Sequence, residues 1–290
     1  MRVAFIGLGV MGYPMAGHLA ARGHEATVFN RSEEKVRRWS ADHKGKAAAS
    51  IEEAVSSAEL VFTCLGDDPD VAEVAEKAAG AMTRGAIFVD HTTASPSLAR
   101  RLHRELGELG IGFVDAPVSG GEAGAKSGKL SVMCGGDADA VNRAGPAMEA
   151  YAARIVHIGE AGAGQLCKAV NQICIAGVLQ GLSEGLHFAQ KSGLDIERVL
   201  EALSAGAARS WQMENRALTM AAGKFDFGFA VDWMRKDLRI ALAEARESGA
   251  RLPLTALVDQ FYADVQAMGG GRWDTSSLIR RLRVRIEGKE

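Results

Sequence analysis

Near the middle of the chain, Lys168, Asn171 and Gln172 bring an ammonium and two carboxamides to the spacing i, i+3 and i+4. On a helix all three would leave one side of neighbouring turns. The surrounding run, residues 162–193, reads as such a helix. It opens Gly162-Ala163-Gly164, has no proline, and stays apolar through Ile173, Ile175, Val178, Leu179, Leu182, Leu186 and Phe188. It stops at Ser192-Gly193, where a helix C-terminus favours glycine. The expected rod has roughly 28 residues and a length of about 42 Å. Apolar residues on nearly every side predict burial on every side. An ammonium and two amides at its wettable end are costly unless they find partners, so that end is a first candidate for chemistry.

A second candidate is the loop Gly7-Leu8-Gly9-Val10-Met11-Gly12, which follows a β-branched and aromatic run at 2–6 and precedes a helical pattern closed by Gly23. Strand, G-x-G-x-x-G and helix in succession is the context of a dinucleotide-binding turn. Gly7 would permit the tight turn, Gly9 the approach of a pyrophosphate, and Gly12 the packing of helix on strand. The helix N-terminus adds N–H groups and positive dipole. The second strand, 25–29, ends at Asn30-Arg31-Ser32, where an NAD-binding unit would normally carry Asp or Glu for the ribose 2′-hydroxyl. Asn30 has no charge to repel a 2′-phosphate, Arg31 can pair with one and lie on adenine, and Ser32 can add a hydroxyl. NADP rather than NAD is therefore expected. The plainer alternative makes Ser32 a helix N-cap and leaves Arg31 in solvent.

Strand and helix patterns continue to alternate. Residues 60–65 form a continuous apolar strand, as parallel strands do when covered on both faces. It leads into the turn Gly66-Asp67-Asp68-Pro69-Asp70. Residues 86–89 lead into Asp90-His91-Thr92-Thr93-Ala94-Ser95-Pro96, with Ser95 as N-cap and Pro96 at the first helical position. Ser50 and Glu53 have capping-box spacing. The ends of three strands should thus share one carboxyl edge, where such sheets bind ligands. Residues 111–115, 130–134 and 154–158 are further strands, with a helix from Asp137. Beyond the long helix, 196–205, 211–220, 232–248, 255–268 and 275–286 all read as helices. The expected fold is α/β: a Rossmann-like doubly wound sheet over residues 1–161, then an all-α domain over 162–290, joined by the helix of about 163–192.

Composition excludes several classes. The 290 residues are 47% hydrophobic and 24% charged with a net charge of −2, ordinary for a globular chain with a large core and without the basic footprint of a nucleic-acid binder. The one basic run, 280–285, is expected as a solvated helix face. Four scattered cysteines, none in a C-x-x-C pair, fit neither a disulfide framework nor zinc, and point to a reducing cytoplasm. The histidine spacing suggests no metal. No signal peptide is expected from the run that opens the sequence, and Lys168, Asn171, Gln172, Gln180 and Glu184 interrupt the long helix too often for a membrane span.

Together, Gly7–Gly12 with Met15-Ala16, Asp115-Ala116-Pro117-Val118-Ser119-Gly120-Gly121, Gly162-Ala163-Gly164 with Lys168 and Asn171, and Lys236-Asp237-Leu238 give a chain that resembles the β-hydroxyacid dehydrogenases over its whole length. This group includes 3-hydroxyisobutyrate dehydrogenase and the tartronate semialdehyde and succinic semialdehyde/glyoxylate reductases, and is related to 6-phosphogluconate dehydrogenase. The resemblance implies that Ser119, Gly120 and Gly121 hold a substrate carboxylate, that Lys168 is the catalytic acid/base, and that Asn171 orients the substrate. It implies cofactor contacts from Thr93, from the turn at Leu65, Gly66 and Asp70, and from Lys236. It also places Trp211 near the far end of the substrate, where periodicity alone makes Trp211 and Met213 core. The chain departs from the family pattern at Gln172, where many members have Asn, and at Gly66, where many have Pro, so either Asn171 or Gln172 could meet substrate.

These roles are chemically coherent. Adjacent glycines leave backbone N–H groups open to an anion. Reducing an aldehyde by hydride needs a proton donor at its oxygen, and a lysine can serve in both directions if burial and cofactor charge bring its pKa towards working pH. The implied activity is NADP-dependent interconversion of a short β-hydroxy acid and its semialdehyde, by a homodimer or homotetramer. Imine reduction and a non-catalytic cofactor-bound scaffold are the rival readings, and Lys168 with Asn171 argues against both.

Overall fold

The computed structural model describes residues 1–283, and the chain divides into two compact units, Met1–Lys168 and the remainder from Ala169. In the first unit the strands are β1 (Arg2–Ile6), β2 (Glu25–Phe29), β3 (Lys46–Ala47), β4 (Leu60–Thr63), β5 (Ile87–Asp90), β6 (Gly112–Asp115), β7 (Val118–Ser119), β8 (Leu130–Gly136) and β9 (Ala152–Gly159). They form one sheet in the order β3-β2-β1-β4-β5-β6-β8-β7, with β9 also paired to β8. From β3 to β6 every pairing is parallel. Strand β8 then runs antiparallel to β6 and β7.

The helices of this unit are α1 (Gly12–Ala21), α2 (Glu33–Asp42), α3 (Ile51–Val55), α4 (Asp68–Ala79), α5 (Pro96–Glu108), α6 (Gly121–Ser127) and α7 (Ala138–Met148). They cover both faces of the sheet, which is why β4 and β5 are buried at every position. Along β1 the pleat sends Val3 and Phe5 into one core with Leu19, Trp39 and Tyr151, and Ala4 and Ile6 into the opposite core with Val71, Phe88 and Phe113. The strand order reverses between β1 and β4, so the loops after β1, β4 and β5 share the carboxyl edge. Local signals hold as well. Ser50 Oγ accepts from the Glu53 N–H at 3.1 Å, and Ser95 Oγ from the Leu98 N–H at 3.1 Å with Pro96 opening α5.

Helix α8 (Ala163–Lys191) starts in the first unit and runs into the second. It is followed by α9 (Ile196–Leu203), α10 (Trp211–Ala221), α11 (Val231–Ser248), α12 (Pro253–Ala267) and α13 (Leu278–Leu282). Ala176, Leu179, Met234, Leu238, Val258 and Tyr262 meet in the larger core of this second unit. Among the described residues no helix is long and apolar enough to cross a membrane.

Three expectations need correction. Helix α8 is not buried all round: Gln165, Lys168, Gln172, Ala176, Leu179, Ser183 and Leu186 form one buried stripe, while Leu166, Val170 and Val178 are exposed and Phe188 is 70% exposed. Apolar sequence states what a helix could bury, but only the side that meets neighbours is covered. The expected last helix is a 3₁₀ turn, Thr275–Ser277, followed by α13; Val284, Arg285 and Ile286 lie outside the described residues. The basic run is not simply solvated. The Arg281 guanidinium lies 3.6 Å from the centroid of the Phe261 ring and pairs with Asp264, and Arg283 donates to Gln190 Oε1 at 2.7 Å. The apolar stems of arginines let them pack in this way.

Candidate active site

The glycine loop shows why each glycine is needed. Gly7 has φ +101°, and a Cβ there would lie 2.4 Å from the Cys64 carbonyl oxygen. At Gly12 a Cβ would come within 1.9 Å of the Gly7 oxygen and 2.9 Å of the Phe5 ring, so only glycine lets α1 close on β1. At Gly9 a Cβ would meet nothing within 4 Å; that open side, next to a helix start with no side-chain cap and no acidic residue, suits a pyrophosphate. The loop therefore fits a dinucleotide on its own geometry.

Asn30 does more than avoid a charge. Its Oδ1 accepts from the Leu8 N–H at 2.9 Å and its Nδ2 donates to the Ser32 carbonyl at 3.3 Å, so it braces the glycine loop against the end of β2. Arg31 is exposed and paired with Asp70 at 3.1 Å, which joins two of the expected cofactor residues. Such an exposed pair is worth little, so an incoming phosphate could take over the guanidinium. Ser32 occupies the N-cap position of α2, as the plainer alternative had it, but its side chain makes no cap bond. On the neighbouring loops, the Leu65 N–H donates to Thr92 Oγ1 at 2.9 Å, and the Asp68 carboxylate accepts from Ser95 N–H at 2.8 Å and from its hydroxyl at 2.5 Å. Leu65, Gly66, Asp70 and Thr93 are all half-buried along this edge.

Lys168 is 7% exposed, and its Nζ donates to the Val118 carbonyl at 2.9 Å. Val118 immediately precedes Ser119, Gly120 and Gly121, so amine and turn meet within the first unit. Gly120 and Gly121 have φ +129° and +59°, conformations that L side chains rarely adopt. Ser119 is half-buried and the two glycines are exposed.

The start of α8 is fixed by a residue to which the sequence assigned no role of its own. Asp115, fully buried at the end of β6, accepts from the Gly162 N–H at 2.8 Å and from the Gln165 N–H at 2.9 Å. Its carboxylate thus caps a helix some fifty positions away, at the positive end of the dipole. Two glycines make room: a Cβ at Gly164 would lie 2.4 Å from the Met133 oxygen, and one at Gly135 2.5 Å from Asp115 Oδ1. Burial pushes the Asp115 carboxyl up to about 6, against the pull of those N–H groups. Asp90 is likewise pushed up to about 6 by burial, opposed by bonds from Thr92 and Thr63, with Asp115 adding to the rise. Burial pushes His91 down to about 4, so its ring is neutral. Its Nδ1 sits 2.7 Å from the Ala116 carbonyl and must carry the proton, which leaves Nε2 to accept from the Tyr151 hydroxyl at 2.8 Å.

The remaining candidates lie in the second unit. Asn171 is half-buried and its Nδ2 donates to Gln172 Oε1 at 2.7 Å, while Gln172 Nε2 donates to Asp237 Oδ2 at 2.7 Å. Gln172 is only 2% exposed. Both ends of its amide are engaged, one with Asn171 and one with Asp237, whereas the Asn171 carboxamide is bonded only to Gln172 among these three. Lys236 pairs with Asp237 at 3.3 Å and lies over the Trp233 ring. It lines a cavity of about 510 Å³ with Arg235, Arg239, Arg246, Asp232 and Asp259. Trp211 is not core, as periodicity suggested. It is 53% exposed beneath the Arg216 guanidinium, whereas Met213 is buried.

The roles of Asp115, Gln165, Asp68 and Asp237 were missed because their partners are distant in sequence. The glycines of Gly162-Ala163-Gly164 were the one local sign of a close approach.

Comparison with known proteins adds the following. Residues 2–159 match the family described as the NAD binding domain of 6-phosphogluconate dehydrogenase, and residues 162–282 match the family described as NAD-binding of NADP-dependent 3-hydroxyisobutyrate dehydrogenase. An uncharacterised oxidoreductase of Shewanella frigidimarina is 56% identical over 97% of this chain and 98% of its own. The 2-hydroxy-3-oxopropionate reductase of Escherichia coli is 36% identical over 100% of this chain and 99% of its own. The solved structure of Mycobacterium tuberculosis 3-hydroxyisobutyrate dehydrogenase with L-serine superposes with a TM-score of 0.89 at 32% identity, covering 98% of this chain and 100% of the other.

Proposed function

The chain belongs to the β-hydroxyacid dehydrogenase family of NAD(P)-binding oxidoreductases, and we propose that within it this protein interconverts a short β-hydroxy acid and its semialdehyde, using NADP and Lys168 as acid/base. The observation that carries this reading is the 2.9 Å bond from Lys168 Nζ to Val118 O, which sets the amine beside the Ser119-Gly120-Gly121 turn. In the oxidising direction Lys168 takes the proton from the substrate hydroxyl; in the reducing direction it returns one to the carbonyl oxygen. When bound, the nicotinamide takes or gives the hydride. Ser119 Oγ and the Gly120 and Gly121 amides hold the carboxylate, and Asn171, steadied by Gln172, orients the reacting oxygen. The relative solved with L-serine, itself a β-hydroxy acid, supports this substrate class.

NADP is favoured by the uncharged Asn30, by Arg31 and by the uncommitted Ser32 side chain, and the family matched by the second unit is described as NADP-dependent. Gly7–Gly12, Leu65, Gly66, Asp70, Thr93 and Lys236 complete the proposed cofactor residues. Among substrates, 3-hydroxyisobutyrate stands first, with tartronate semialdehyde, glyoxylate and succinic semialdehyde as alternatives. The E. coli relative's name favours the tartronate arm. The exposed apolar side of α8 supports self-association as a dimer or tetramer, and the cysteine pattern supports a cytoplasmic setting.

The test is kcat/KM over three- and four-carbon hydroxy acids and aldehydes with both cofactors, for wild type and Lys168→Ala. The variant should fold and bind NADPH, while kcat falls by roughly 10²–10⁴-fold. A Lys168→Ala enzyme with wild-type turnover would refute the assignment, and a preference for NAD would refute the cofactor reading.

A further inference from the structure

Gln165 is 2% exposed, although its side chain is a carboxamide one turn before Lys168 on the buried side of α8. Its carboxamide and its backbone N–H are directed at one loop and one strand end. Its Oε1 accepts from the Ala94 N–H at 3.1 Å, its Nε2 donates to the Thr92 carbonyl at 2.7 Å, and its backbone N–H donates to Asp115 Oδ2 at 2.9 Å. Thr93 lies between the two residues that the carboxamide grips. Thr92 in turn accepts from the Leu65 N–H through Oγ1 at 2.9 Å and donates its own N–H to Asp90 Oδ1 at 3.0 Å. A continuous chain of short bonds therefore joins the turn after β4, the turn after β5, the first turn of α8 and, one turn further, the amine of Lys168 on Val118 O.

We propose that Gln165 is a positioning residue, which locks the Thr92–Ala94 loop to the helix carrying Lys168 so that the amine and the cofactor-facing loop keep one fixed separation. A hydride and a proton must be delivered to neighbouring atoms of one small substrate, and an error of about 1 Å in such a geometry can lower turnover by about 100-fold. A side chain that leaves the Lys168 helix and grips the loop at two points is an economical way to hold that distance. The proposal rests on the reading of Lys168 as acid/base.

Gln165→Leu removes both side-chain bonds at similar volume, Gln165→Glu keeps the acceptor for Ala94 N–H but faces the Thr92 carbonyl without a donor, and Gln165→Met is the mildest filling of the site. Each is compared with Lys168→Ala and wild type by kcat, KM, NADPH dissociation constant and the primary deuterium isotope effect on kcat. The substrate is whichever of 3-hydroxyisobutyrate, glycerate and 4-hydroxybutyrate gives the highest kcat/KM. The expected result is a 10- to 100-fold fall in kcat with a larger isotope effect, while KM and cofactor affinity change by less than about threefold. If Gln165→Leu does not fold, Gln165→Met and Gln165→Glu carry the test. Wild-type kcat and isotope effect in the folded Gln165 variants beside an inactive Lys168→Ala would overturn the proposal and leave the acid/base reading standing. Weakened cofactor binding with unchanged kcat would also overturn it, since a merely structural loop tie acts in that way. An active Lys168→Ala would overturn both.

Discussion

Replacing Gly164 by alanine sets two opposed effects against each other within one helix. Alanine in place of glycine inside a helix gains up to about 1 kcal/mol through backbone entropy. At Gly164, however, the new Cβ would lie 2.4 Å from the Met133 oxygen, 2.6 Å from the Asp115 carbonyl oxygen and 2.8 Å from Asp115 Oδ2. Two of these atoms belong to the backbone of the sheet and cannot swing aside, so the first turn of α8 must retreat. Overpacking of this kind costs about 1–3 kcal/mol. The retreat also stretches the bonds from Gly162 and Gln165 to Asp115, now 2.8 and 2.9 Å, and bonds to a charged acceptor are worth roughly 1.5–3 kcal/mol each. The clash wins, and a net loss on the order of 3 kcal/mol is expected. Gly181 and Gly185 are controls on the same helix: exposed, with nothing within 4 Å of an added Cβ. Each should gain roughly 0.5–1 kcal/mol as alanine. Urea midpoints of the three variants, with kcat measured in parallel, decide the matter. A Gly164→Ala protein as stable as wild type, or controls that fall as far as it does, would refute the reasoning.

Two further outcomes are expected. Asn30→Asp keeps an oxygen for the Leu8 N–H but adds negative charge at the end of β2, so the NADP-over-NAD ratio of kcat/KM should fall at least about tenfold; an unchanged ratio would show that a 2′-phosphate does not lie there. Asp90 and Asp115 are both held near 6 rather than 3.8. A value raised by folding gives stability that is complete below the unfolded value and is lost as pH rises through 6, so each anion costs roughly 3 kcal/mol at neutral pH. Asp90→Asn retains the Oδ1 that Thr63 and Thr92 use, so its stability relative to wild type should climb between about pH 4 and about pH 6 and level off above that in urea melts; parallel curves would count against the assignment.

What could be read from the sequence was what depends on short spacing. The glycine loop, the apolar runs of β4 and β5, and the Ser95-Pro96 start of α5 are local patterns, and they place the carboxyl edge on which the proposed cofactor residues gather. Lys168 and the Ser119-Gly120-Gly121 turn were each visible, and the resemblance set them together. Their junction, Nζ on Val118 O, spans 50 positions. The Asp115 cap spans 47 and 50 positions and the Gln165 tie 71 and 73, and no periodicity in the chain reports a partner at that distance. The helix α8 shows the opposite failure: its composition was clear, but one-sided burial is decided by how many neighbours the fold supplies. Asn30 drew notice for its lack of charge, which is a sequence property, while its grip on the Leu8 amide is a geometric one that spacing does not report.

Because α8 runs unbroken from Ala163 to Lys191, angular phase along it is a shared resource. Inserting one residue between Lys168 and Asn171 would turn Asn171 and Gln172 by about 100° and advance them about 1.5 Å relative to Lys168, ending the spacing that brings the three side chains off one side of the helix. Length variation in this lineage should therefore gather in the loops and leave the span from Gly162 to Gln172 at constant length, even where side chains on its exposed side change freely.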